Sequence, residues 1–201
     1  MRIGESNNIK DLAPILANTF VEDFIPSNQV FEDYQEYFKS KEIGLGTLKS
    51  YLNDQMSDFE VLSITKEYNS LRLEVNDLNY CIRAEEIIKE RGLKIDNQSL
   101  KLPCIFLFKE VDHFSLSLID KKGELKEVKD YSVTRNSQIL FDQLIHYDQD
   151  SIEIAFTLWK YIGGKGKNFL LLISARTCDV KETQIELLNR LMNGDISGFN
   201  I

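Results

Sequence analysis

The chain has 201 residues, with 24 basic and 32 acidic side chains and a formal net charge of −8. That length can bury a self-sufficient core without disulfides or metal. A composition 43% hydrophobic and 28% charged, with three prolines, speaks against disordered, collagenous and low-complexity classes.

Residues 1–57 hold 5 basic and 9 acidic side chains and residues 58–201 hold 19 and 23, so both parts are acidic and the first proportionally more so. Phosphate recognition needs clustered Lys and Arg, and no such cluster is present, so no nucleic-acid partner is expected. The longest apolar runs, 105–108 and 169–173, fall far below the roughly 20 residues that span a bilayer. The N-terminus has no apolar h-region, and the expectation is a cytoplasmic protein with no membrane crossing. Cys81, Cys104 and Cys178 are far apart without a Cys-x-x-Cys pair, which points to reduced, mostly buried thiols.

Ile9, Leu12, Leu16 and Phe20 recur at helical spacing, with Ile15 and Phe24 beside them. Pro14 favours a start near Asp11, where the missing amide falls in the first turn, and Pro26 ends the helix. Ser27 or Asn28 caps a second helix with Phe31, Tyr34 and Phe38 on one face and Glu32, Asp33 and Glu36 on the other. A third, short helix over 45–52 is expected after a loop at Gly44-Leu45-Gly46.

Beyond Asp54 the period becomes two. Phe59, Val61, Leu71, Leu73 and Val75 alternate with polar residues around Tyr68-Asn69-Ser70, the pattern of a β-hairpin. Residues 78–84 read as a further strand, with 85–91 a short helical turn ended by Gly92. Residues 103–109 and 114–119 read as a pair of strands, followed by a Lys121-Lys122-Gly123 turn and a strand over 125–128. Residues 139–147, 151–162 and 168–176 read as a meander, although Ile152, Ala155, Phe156 and Trp159 also fit a helical stripe; strict alternation and β-branched content favour strand. A C-terminal helix follows, with Asp179 as N-cap, Glu182 completing a capping box, Ile185, Leu188 and Leu191 inside and Gly194 as its stop. The expected fold is α+β: short N-terminal helices (1–57) packed on a mainly antiparallel β-meander sheet (58–176), then a C-terminal helix and tail (177–201), as one domain.

The glycine-lysine run at 163–167 lacks the helix and Lys-Ser or Lys-Thr of a phosphate loop and reads as a hairpin tip. Asp148 and Asp150 invite a metal reading, but Glu153 and Trp159 stand where a calcium loop needs Gly and Glu, so turn chemistry is the expectation. His113 and His146 show no zinc spacing, and no Gly-x-Ser-x-Gly elbow is present. Cys81 and Cys104 lie in apolar surroundings. Cys178, expected just before a helix N-terminus, a context able to lower a thiol pKa, is the one thiol to test for reactivity. No metal, cofactor or catalytic residue is assigned. The remaining candidate is the second helix, where Glu32, Asp33 and Glu36 beside Tyr37 suit a basic protein partner. The alternative is an enzyme or small-molecule binder whose site joins distant residues such as His146, Cys178 and carboxylates between helices and sheet.

Leu52-Asn53-Asp54, Val61-Leu62-Ser63-Ile64, Leu71-x-Leu73 and Phe108-Lys109-Glu110-Val111 together resemble a loosely defined set of small bacterial domains in which a Leu-His-Asp turn leads into a β-meander. Asn53 stands where those domains carry His. The resemblance, over about 52–160, implies a bacterial cytosolic α+β protein and a role like that of toxin-neutralising immunity partners.

Overall fold

The computed structural model describes residues 6–52, 56, 59–93 and 100–197. They form an α+β fold in which helices surround an antiparallel sheet and a helix closes the chain. The expected turn at Asn53 and Asp54 lies outside the described residues.

Where one helix starting near Asp11 was expected, there are two, α1 (Ile9–Leu12) and α2 (Pro14–Phe20). Asn8 caps α1 by accepting the Lys10 amide at 3.0 Å. Pro14 disfavours helical backbone at the residue before it; Ala13 sits at φ −145°, ψ 72°, and the helix restarts with Pro14 in its first turn. α3 (Asn28–Leu45) runs through Gly44 and leads directly into a 3₁₀ helix (Gly46–Tyr51), so the loop expected at 44–46 and the separate helix over 45–52 are both corrected.

β1 (Phe59–Glu67) and β2 (Ser70–Asp77) form the expected hairpin. The strand expected over 78–84 is instead the start of α4 (Leu78–Glu90). Asp77 decides this, because its carboxylate accepts the amides of Asn79 at 3.1 Å and Tyr80 at 3.3 Å, capping a helix that buries Cys81, Ala84 and Ile88 on one face.

Residues 103–109 and 114–119 belong to one 17-residue strand, β3 (Pro103–Ile119), and do not pair with each other. A bulge between Val111 and His113, with Glu110 at φ 52°, lets the strand bend and serve two neighbours. Its first half pairs with β2, and nearly its whole length pairs with β7 (Lys165–Lys181). β4 (Leu125–Glu127) is a short edge strand on β3. β5 (Gln138–Tyr147), β6 (Ile152–Ile162) and β7 form the expected meander. β7 runs to Lys181 because residues 177–181 complete the ladder with 105–109 of β3. Asp179 is therefore a strand residue, and α5 (Thr183–Met192) begins only after Glu182, whose side chain makes no capping bond.

The pairings close on themselves in the order β1-β2-β3-β7-β6-β5 and back to β1. Alternate residues point into this ring: Leu71, Leu73 and Val75; Cys104, Phe106 and Phe108; Ile152, Ile154, Phe156 and Leu158; Phe169, Leu171 and Ile173. Phe38 and Leu45 of α3, with Leu48 and Tyr51 of the 3₁₀ helix, join the same cluster and stopper it. Outside, α1 and α2 cover Ala155, Leu170 and Leu172, while α4 and α5 pack on each other and on Leu100 and Leu102. Closure is thinnest between β1 and β5. There Glu60 opposite Gln138 is the one paired position among the described residues, flanked by the Val61 amide on the Ser137 carbonyl and the Asn136 amide on the Val61 carbonyl, each at 2.8 Å.

Candidate functional site

α3 turns Tyr34, Phe38 and Leu45 toward the barrel. With about 100° of rotation per residue, Glu32, Glu36 and Ile43 fall within about 40° of one another on the opposite stripe. Glu32, Asp33 and Glu36 are all exposed, and Ile43 is 98% exposed. Asp33 accepts a hydrogen bond from Gln29 Nε2 at 2.6 Å. Among the described residues no Lys or Arg forms an ion pair with these three acids, whereas Glu22, Glu74, Glu85, Glu110, Asp179 and Asp195 each have one. Glu32 and Glu36 stand one helical turn apart, a like-charge spacing that weakens a helix by a few tenths of a kcal/mol, about 0.2–0.5.

Tyr37 is used differently from the acids beside it. Its hydroxyl accepts the Tyr147 amide at 2.7 Å, the Tyr34 hydroxyl accepts the Leu144 amide at 3.3 Å, and the Tyr147 hydroxyl donates to the Gly44 carbonyl at 2.6 Å. These three bonds latch α3 to the end of β5, where a bulge between Leu144 and His146 turns amides outward from the ladder. Burial pushes the Tyr37 phenol up from its ordinary value, and the nearby charges of Asp148 and Glu153 add to that shift. Ile43 was not among the sequence candidates, because the helix was expected to end before Gly44; its seven-residue spacing from Glu36 was the signal that could have placed it on the outer stripe.

The other sequence candidates are structural. Asp148 organises the β5–β6 turn, accepting the amides of Asp150 and Ser151 at 2.8 Å each and contacting His146 Nε2 at 2.8 Å. The His146 bond first, then the Asp150 amide, pulls its carboxyl down to about 2. Gly163 and Gly164, at φ 58° and 80°, form the two-residue β6–β7 hairpin turn. Cys178 lies opposite Phe108 within β7, ahead of the α5 N-cap at Glu182, so the helix-start context that singled it out for testing is absent, and burial followed by the Asp179 charge pushes its thiol well up. Cys178 and Asp148 do share a cleft of about 220 Å³ beside Leu45 and Leu48, but His146 is not part of its lining. Burial likewise pushes Cys104 up to about 11 and raises Cys81, whose Sγ lies 3.3 Å from Asn76 Oδ1. His113, on β3, is lowered by burial and by Lys66. Tyr51 donates to Glu182 Oε1 at 2.6 Å and accepts from Gln184 Nε2 at 2.9 Å, a polar joint that ties α5 to the stopper.

Among the described residues no group of three His, Cys, Asp or Glu side chains is arranged to hold a metal ion, and no helix is long and apolar enough to cross a membrane. Comparison with protein families, with characterised proteins and with solved structures found no match to the chain.

Proposed function

We propose that this protein is a non-catalytic interaction module whose α3 face binds a basic protein, in the manner of a bacterial, cytoplasmic immunity protein neutralising a toxin. The observation that carries the reading is the outer stripe of α3, where Glu32 and Glu36 have no cation partner among the described residues and a 98% exposed Ile43 stands about two turns beyond Glu36, with Lys39 between them. Unpaired acids steer a basic partner by long-range attraction, and an apolar side chain further along the same stripe supplies an anchor that becomes buried on contact. Tyr37 contributes by fixing the helix on β5.

The test compares the wild-type protein with a Glu32→Lys/Glu36→Lys variant, both immobilised and exposed to lysate at low and high salt, with a photo-crosslinker placed at position 43. The wild type should retain a basic protein that is released by salt, labelled from position 43, and lost by the variant. Equal retention by both forms, or labelling of nothing from position 43, would sink the reading.

A further inference from the structure

We propose a second binding site, for a carbohydrate, in the cleft at the β1–β5 corner, with Trp159 and Tyr161 as the stacking surface and Glu60, Asn136 and Gln138 as partners for hydroxyl groups. Past the Glu60–Gln138 bridge β1 and β5 part company. Beside this bridge the outward faces of β1, β5 and β6, with Leu78 at the start of α4 on one side and the end of β6 on the other, line a cleft of about 420 Å³. That volume lies within the roughly 300–1,000 Å³ of small-molecule sites.

Strand register builds its floor. Glu60 is opposite Gln138, and Gln138 is opposite Trp159, so a carboxylate, an amide and an indole stand in a row across three strands. Their neighbours Val61, Ile139 and Leu158 face the barrel interior, which sends this row outward. Tyr161, two residues further along β6, shares that face; its ring centroid is 6.4 Å from that of Trp159, and the residue is 65% exposed. Across from Tyr161 lies Gly166, where a Cβ would come within 2.8 Å of Trp159 Nε1. The missing side chain makes room for the indole at this position.

The chemistry of the lining selects the ligand. Lys160 spends its ammonium on the Val133 and Arg135 carbonyls, at 2.9 and 2.6 Å, so the cleft offers an anion little beyond the repulsion of Glu60. A carboxylate only accepts hydrogen bonds, and a proline-rich peptide, which presents mainly carbonyls, offers Glu60 few donors. A quaternary ammonium would suit the rings and Glu60 but has no hydroxyl to meet the Asn136 side-chain amide. A sugar meets all of them, since its hydroxyls both donate and accept and one ring face is apolar enough to stack on an aromatic. The cleft lies at the opposite end of β5 from the α3 face, so the two sites do not compete.

Trp159 is the only tryptophan in the chain, and its emission reports on the cleft directly. Titration with β-1,4-linked glucose, β-1,4-linked N-acetylglucosamine and α-1,4-linked glucose trisaccharides, each to about 10 mM, reads dissociation constants down through the millimolar range. At least one should give a saturable change that Tyr161→Ala and Glu60→Gln each weaken about tenfold or more, with circular dichroism unchanged. Amide shift perturbations in the wild-type protein should centre on residues 60, 136–138 and 159–161, a readout independent of how the variants fold. The proposal is overturned by silence with all three sugars, by binding that both variants leave intact, or by saturation with tetramethylammonium or polyproline alone.

Discussion

Tyr34 and Tyr37, each next to an acid of α3, show how one side chain sets the geometry of a face it does not itself present. Tyr37 and Tyr34 offer hydroxyl oxygens to amides that the β5 bulge leaves without a ladder partner. Replacing Tyr37 with Phe keeps the ring and its Lys41 contact at 5.4 Å but orphans the Tyr147 amide. The expected cost is about 1–2 kcal/mol, the penalty for a poorly solvated unpaired donor. Urea denaturation measures it, and faster hydrogen exchange at the Tyr147 amide should accompany it. A stability equal to wild type would show that the latch is dispensable. Glu32 and Glu36 were legible as an exposed acidic pair from helical period alone. Tyr37 was legible only as an aromatic beside them, because its partner lies 110 residues away.

At the scale of elements, several boundaries depend on partners that local pattern does not contain. Residues 177–181 carry a plausible cap in Asp179, yet the open edge of β3 draws them into the ladder. Asp77 works in the other direction, converting an alternating stretch into α4 by capping it. The N-terminal helices depend on the β3–β4 turn. The Ile9 amide donates to the Gly123 carbonyl at 3.0 Å, Gly123 sits at φ 86°, and a Cβ there would come within 2.9 Å of both Asn8 Oδ1 and Val21 Cγ2. Gly123→Ala therefore combines backbone strain with crowding, and a loss of about 1–3 kcal/mol is expected in urea denaturation. If the change were neutral, the docking of α1 on this turn would not be tight.

Among the described residues the barrel interior is filled by side chains. Phe106 is fully buried and meets the Tyr51 ring edge-on with centroids 5.4 Å apart. Phe106→Ala should cost about 3–5 kcal/mol through lost burial and the cavity left behind. A loss below about 1 kcal/mol, measured by the same denaturation, would contradict a packed interior.

Period-two alternation over the strand segments, helical spacing in α3 and the turn chemistry at Asp148 and Gly163-Gly164 determined by themselves the class of fold, the β5–β6–β7 meander and the acidic helix face, since each follows from contacts a few residues apart. Tertiary structure alone decided that β3 is a single bent strand, that the sheet closes into a ring, and that Glu60, Gln138 and Trp159 stand side by side. Those outcomes depend on pairings between strands far apart in the chain, and backbone hydrogen bonding between such strands leaves almost no trace in local composition.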